Sequence, residues 1–93
     1  MELKWKRVNI GTKPSAWGLY LNDILIGLIK PIKIDKYFYF DWNILDNTNA
    51  EFKFVPKHME CFFGLRWARK TMLEEVKHQL DIANIKYNIN TLV

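Results

Sequence analysis

Residues 17–29 read WGLYLNDILIGLI. Trp17, Leu19 and Leu21 alternate with Gly18, Tyr20 and Asn22, the period of two expected of a strand that buries one face. Asn22 and Asp23 tolerate the left-handed backbone of a tight two-residue turn, so residues 24–29 are expected to return as an antiparallel partner. Apart from Gly27, both faces of that returning strand are apolar, which suits a central strand covered on both sides or a partly exposed apolar patch. Gly27 is a candidate for a bulge or a close backbone approach. Pro31 is expected to end the strand.

Working outward, residues 36–42 place Phe38, Phe40 and Trp42 on one face and Tyr37, Tyr39 and Asp41 on the other. The Phe/Trp face is expected in the core. The Tyr face is expected to be half-wet, because a phenol packs along its ring while its hydroxyl reaches water. Leu3 and Trp5 alternate with Lys4 and Lys6 in a first strand over residues 3–10, and residues 11–15 (GTKPS) have the composition of an exposed turn. Residues 46–49 (DNTN) are expected to form a loop, and residues 51–55 a short strand closed by Pro56. Over residues 57–70, Cys61, Phe63, Leu65 and Trp67 alternate as in a strand, although Met59, Phe62, Phe63 and Trp67 also satisfy helical spacing; strand is the favoured assignment.

That preference follows from residues 71–74, TMLE, which fit a capping box and so predict a helix beginning at Thr71. Leu73, Val76, Leu80 and Ala83 then share one stripe, with Glu74, Lys77, Gln79 and Asp81 outside it. Glu74 and Glu75 suit the positive end of such a helix, and Asn84 is a fitting terminator. Residues 85–89 alternate as a last edge strand. The fold class expected is α+β: one domain over residues 1–93, a twisted antiparallel sheet of four to six strands with one main C-terminal helix packed on it.

Composition narrows the function. Neither histidine has an evident orienting partner, the only serine, Ser15, lies in the predicted turn, and the one acidic pair, Glu74-Glu75, is absorbed by helix capping. No catalytic residue is therefore assigned and no enzyme expected. His58, Glu60, Cys61 and His78 lack the spacing of common zinc sites, and there is no Gly-rich phosphate loop, so no metal or cofactor is expected. A single cysteine forms no internal disulfide, no secretion signal is evident, and the apolar stretch 24–34 is interrupted by Gly27, Lys30, Pro31 and Lys33. A cytoplasmic protein outside the membrane is expected.

Two binding readings remain. Fourteen aromatic residues, four of them Trp, exceed the needs of one small core, and Trp, Tyr and Arg are the usual anchors of interfaces. Tyr20, Tyr37, Tyr39, Trp67, Arg66, Arg69 and Lys70 are the candidate protein-binding residues, with the 85–89 edge offering homodimerisation. The alternative is nucleic acid. Net charge is +4, and residues 1–36 carry seven Lys/Arg against three acids. Lys4, Lys6, Arg7, Lys36, Tyr37 and Tyr39 would then track and stack a single strand. Residues 36–40 resemble the aromatic strand of RNA-recognition motifs, but without that family's glycine or its order of elements.

The Trp-bearing first strand, the turn-and-strand NDILIG at 22–27, the aromatic strand and the segment TMLEEV at 71–76 together resemble small proteins of phages and mobile elements, anti-CRISPR inhibitors among them. The resemblance implies an inhibitor that occupies a surface of a host protein complex. It transfers no functional residue, because no motif singles out one such family.

Overall fold

The computed structural model describes residues 1–10, 13–45, 52–61 and 64–90. The elements run β1 (Glu2–Ile10), β2 (Lys13–Leu21), β3 (Ile24–Ile34), β4 (Tyr37–Ile44), β5 (Lys57–Cys61), α1 (Leu65–Ile82) and β6 (Asn88–Asn90). They form an α+β fold with one open sheet in the order β5-β4-β3-β2-β1-β6. The expected loop at 46–49 falls outside the described residues.

The 17–29 hairpin forms as its sequence requires. Leu21 faces Ile24, and Asn22 and Asp23 have φ of 48° and 69°, the double positive φ of a tight hairpin turn. Asn22 also clamps the start of β1: its Oδ1 accepts from the Glu2 N–H at 2.9 Å, and its own N–H donates to the Glu2 carbonyl at 3.0 Å. Leu19 faces Gly27 while the next residue, Tyr20, faces Leu25, so Ile26 is the extra residue of a bulge and lies fully buried.

Pro31 does not end β3, which continues to Ile34. Pairing with β2 stops at Trp17–Ile29, and beyond it β3 pairs with β4 alone. A residue without an N–H is tolerated where one side of the strand has no partner to accept from it. By the same logic Lys13, Pro14 and Ser15 are not turn residues: they open β2, which there pairs only with β1.

Cross-strand partners share a face, so the register sorts the sheet. Leu3, Trp5, Leu19, Leu21, Ile29, Trp42 and Ile44 lie on one side and are buried beneath α1, joined by Ala68, Met72, Val76 and Leu80 of the helix. The other side carries Lys4, Lys6, Val8, Tyr20, Leu25, Leu28, Tyr39, Asp41 and His58, and no described element packs over it. Two glycines permit close packing, one on each side. A Cβ at Gly27 would lie 3.0 Å from Met72 Sδ, and one at Gly18 would lie 2.7 Å from Val8 Cγ2 and 2.8 Å from Leu25 Cδ1.

Four further expectations are corrected. The segment 52–56 is not a strand. Phe54 is instead fully buried as a plug, with the Phe52 ring edge-on at 5.0 Å, and the backbone of Val55 bonds to the Gln79 side chain. Residues 57–61 are a strand, but Leu65 and Trp67 belong to α1, which begins after Gly64 at φ 105°. Thr71 is therefore no cap. Its hydroxyl donates back to the carbonyls of the preceding turn, Trp67 at 3.0 Å and Ala68 at 3.2 Å, and accepts the Trp42 indole N–H at 3.0 Å. Gln79, expected outside, is buried, whereas Ala83 of the expected stripe is exposed. Asn84, at φ 57°, does stop the helix.

The last strand is shorter than 85–89 and its pairing is parallel: Glu2, Leu3 and Lys4 face Asn88, Ile89 and Asn90. The sheet is thus mixed and not antiparallel throughout. Parallel neighbours need a crossover, and α1 supplies one by carrying the chain from the β5 edge to the far edge beside β1.

Candidate interaction surface

Arg7 and Trp17 face each other across the β1–β2 ladder, on the side of the sheet that α1 covers. The Arg7 guanidinium lies 4.9 Å from the centre of the Trp17 ring. From the second turn of α1, Arg69 reaches the same ring at 4.8 Å and the buried Trp5 ring at 4.9 Å. Ala68 beside it is fully buried against the sheet, which fixes the helix close enough for that reach. Each such stack is worth about 0.5–2 kcal/mol according to its desolvation, and it orders a side chain that would otherwise sample many rotamers.

Arg66, Trp67 and Lys70 stand exposed on the same two turns. Trp67 keeps 45% of its surface open, with the Lys70 ammonium 5.3 Å from its ring centre. Leu65, Arg66 and Arg69 line a cavity of about 480 Å³. The first turn of α1 contains no acidic residue, and among the described residues no carboxylate forms an ion pair with Arg66, Arg69 or Lys70.

The structure divides the residues expected to bind protein. Arg66, Trp67, Arg69 and Lys70 share the first two turns of α1, Lys70 beside Trp67 and Arg69 turned to the sheet, where Arg7, expected to meet nucleic acid, lies against the same Trp17 ring. Tyr20 and Tyr39 lie on the opposite, uncovered face with Lys4 and Lys6; the Lys6 ammonium sits 4.9 Å from the Tyr20 ring centre and 3.7 Å from Asp23. Lys36 and Tyr37 are exposed at the β3–β4 turn, Tyr37 to 74%. Trp5 and Trp17, the platforms of the arginine stack, were not singled out from sequence. The signal that could have found them is the β1–β2 register, which sets Arg7 opposite Trp17 and Trp5 opposite Leu19.

Elsewhere the chemistry is sparse. His58 Nε2 lies 3.8 Å from Asp41 Oδ1, an ion-pair distance too long for a hydrogen bond. His78 is exposed on the helix, and among the described residues no three His, Cys, Asp or Glu side chains gather as metal ligands would. No helix among those residues is long and apolar enough to cross a membrane. Compared with known proteins, the chain matches no family model, no curated sequence and no solved structure.

Proposed function

We propose that this is a non-catalytic binding protein that acts in the cytoplasm by occupying a surface of a host protein complex, as the phage-type inhibitors it resembles do. Its contact surface is the first two turns of α1. The observation that carries this reading is the exposure of Arg66, Trp67 and Lys70 on these turns, with Arg69 flanking them on the sheet side and no described carboxylate paired with Arg66, Arg69 or Lys70. An aromatic anchor beside uncompensated arginines favours a partner of opposite charge.

The test is affinity capture of the complex from host lysate, nuclease-treated and at two salt concentrations. The tagged protein is compared with a variant carrying Arg66→Glu, Trp67→Ala and Lys70→Glu. A stoichiometric complex that survives nuclease with the parent and disappears with the variant supports the reading; equal capture by both refutes it.

A second reading has its own observation. Lys4, Lys6, Tyr20 and Tyr39 share the uncovered sheet face, the arrangement on which a single-stranded nucleic acid stacks and is tracked, with Arg7, Lys36 and Tyr37 as outlying contacts. Affinity for a single strand that falls steeply as salt rises would favour it, since phosphate contacts release counterions.

A further inference from the structure

We infer that the cavity lined by Leu65, Arg66 and Arg69 is a receptor for one carboxylate side chain of the partner, an Asp or Glu beside an apolar residue. This rests on the reading of the α1 surface as a protein contact and names what that contact recognises.

Three observations meet at this cavity. First, Arg69 is held before any ligand arrives: its guanidinium lies against both Trp5 and Trp17 at 4.8–4.9 Å. Contact with two rings holds the guanidinium in place, which lowers the ordering cost of meeting a planar acceptor. Second, no described carboxylate satisfies Arg66 or Arg69. A carboxylate offers two oxygens to two guanidinium forks, and such charge-assisted pairs are the stronger class of hydrogen bond. Third, among the described residues Leu65 adds an apolar side chain to the lining of this open recess of about 480 Å³. A nucleic-acid backbone would be met by cations repeated along a track. Here two arginines and an aliphatic side chain border one open recess, which suits an acidic residue next to an apolar one.

The experiment uses the full chain, labelled with ¹⁵N, and the capped dipeptide acetyl-Glu-Leu-amide. The readouts are the indole N–H resonances of Trp5 and Trp17 and the guanidinium Nε–H resonances of Arg66 and Arg69. Expected are saturable shifts at all four, with affinity at least about tenfold weaker for acetyl-Gln-Leu-amide, the size of change that losing a charged hydrogen-bond partner produces. Arg69→Lys keeps the charge but loses the fork and the stack, and it is expected to weaken binding by a similar factor. Arg66→Gln, at an exposed position, gives the same test where folding is not at stake; unchanged amide dispersion certifies both variants.

Equal shifts with the Glu and Gln dipeptides, or undiminished binding by Arg69→Lys and Arg66→Gln, overturn the inference. So does a twelve-residue oligothymidylate that moves these four resonances when the dipeptide does not, because the recess then answers to phosphate. The titration needs no knowledge of the host complex. Its failure removes the carboxylate receptor and leaves the capture experiment standing, whereas a successful titration beside failed capture keeps the recess and removes the surface reading.

Discussion

Replacing Gln79 by Leu tests whether a side-chain amide stands in for a missing strand. Gln79 is 8% exposed in the last turn of α1; its Oε1 accepts from the Val55 N–H at 2.8 Å, and its Nε2 donates to the Val55 carbonyl at 3.1 Å and to Glu75 Oε1 at 3.2 Å. The amide thus pairs both backbone groups of one residue, as a neighbouring strand would, and holds the adjacent Phe54 in the core. Leucine keeps the size and burial of the side chain but can pair neither group. Two hydrogen bonds at about 1 kcal/mol each give a loss of about 2 kcal/mol. The lower end of the range is appropriate because Val55 is largely exposed and water can reach its backbone. For a domain of this size that corresponds to a fall in Tm of roughly 8–16 °C. Thermal and urea unfolding followed by tryptophan fluorescence would measure it, with the urea slope unchanged if only stability moves. A fall of less than about 3 °C would refute the reasoning, since an order-giving contact worth about 2 kcal/mol cannot be lost so quietly.

Thr71→Val keeps shape but removes the hydroxyl that accepts the Trp42 indole N–H; a loss of about 1–3 kcal/mol is expected in urea unfolding, with the Trp42 indole proton shifted in the NMR spectrum. Gly18→Ala should destabilise more than Gly27→Ala in the same assay, because the new methyl meets the stiff, β-branched Val8 at 2.7 Å in one case and the pliable end of Met72 at 3.0 Å in the other. Glu75 has its pKa held below the ordinary 4.5: burial acts to raise it, but hydrogen bonds from Lys57 and Gln79 and the charges of Lys57 and His78 outweigh that. A carboxylate lowered on folding stabilises fully above its unfolded pKa and loses that contribution as pH falls through the folded one. Glu75→Gln should therefore flatten the decline of stability below about pH 4.5, and an unaltered acid limb would count against it.

The parts of the fold legible in the sequence are those decided within a few residues. Asn22-Asp23 encodes its own positive φ, Asn84 stops the helix by the same backbone freedom, and the alternation at 36–42 buries Trp42 while leaving Tyr37 outside. The errors all arise where a distant partner changes what a local signal means. Pro31 reads as a stop only if both sides of its strand are paired, and β2 has already left it. Thr71 and Glu74 have capping-box spacing, but a helix whose N-terminal turns are stabilised by packing Ala68 under the sheet can begin earlier, and the threonine then bonds to the preceding turn. Gln79 is polar on a helix face and reads as solvated until Phe54 brings an unpaired backbone against it.

The candidate site follows the same logic in charge. Counted along the chain, the positive excess sits in residues 1–36, and the balance beyond them is even. Folding redistributes that charge. Arg7, from the basic third, is carried by β1 to the Trp17 ring, and Arg69, from the balanced remainder, is brought to the same ring by a helix that crosses from the opposite edge of the sheet. Two like charges converge on one indole, and the ring's negative face attracts both. An anion arriving beside Arg69, to which the described residues pair no carboxylate, would meet a guanidinium already held against two rings, which is why the proposed contact is argued from the arginines and not from the more numerous lysines.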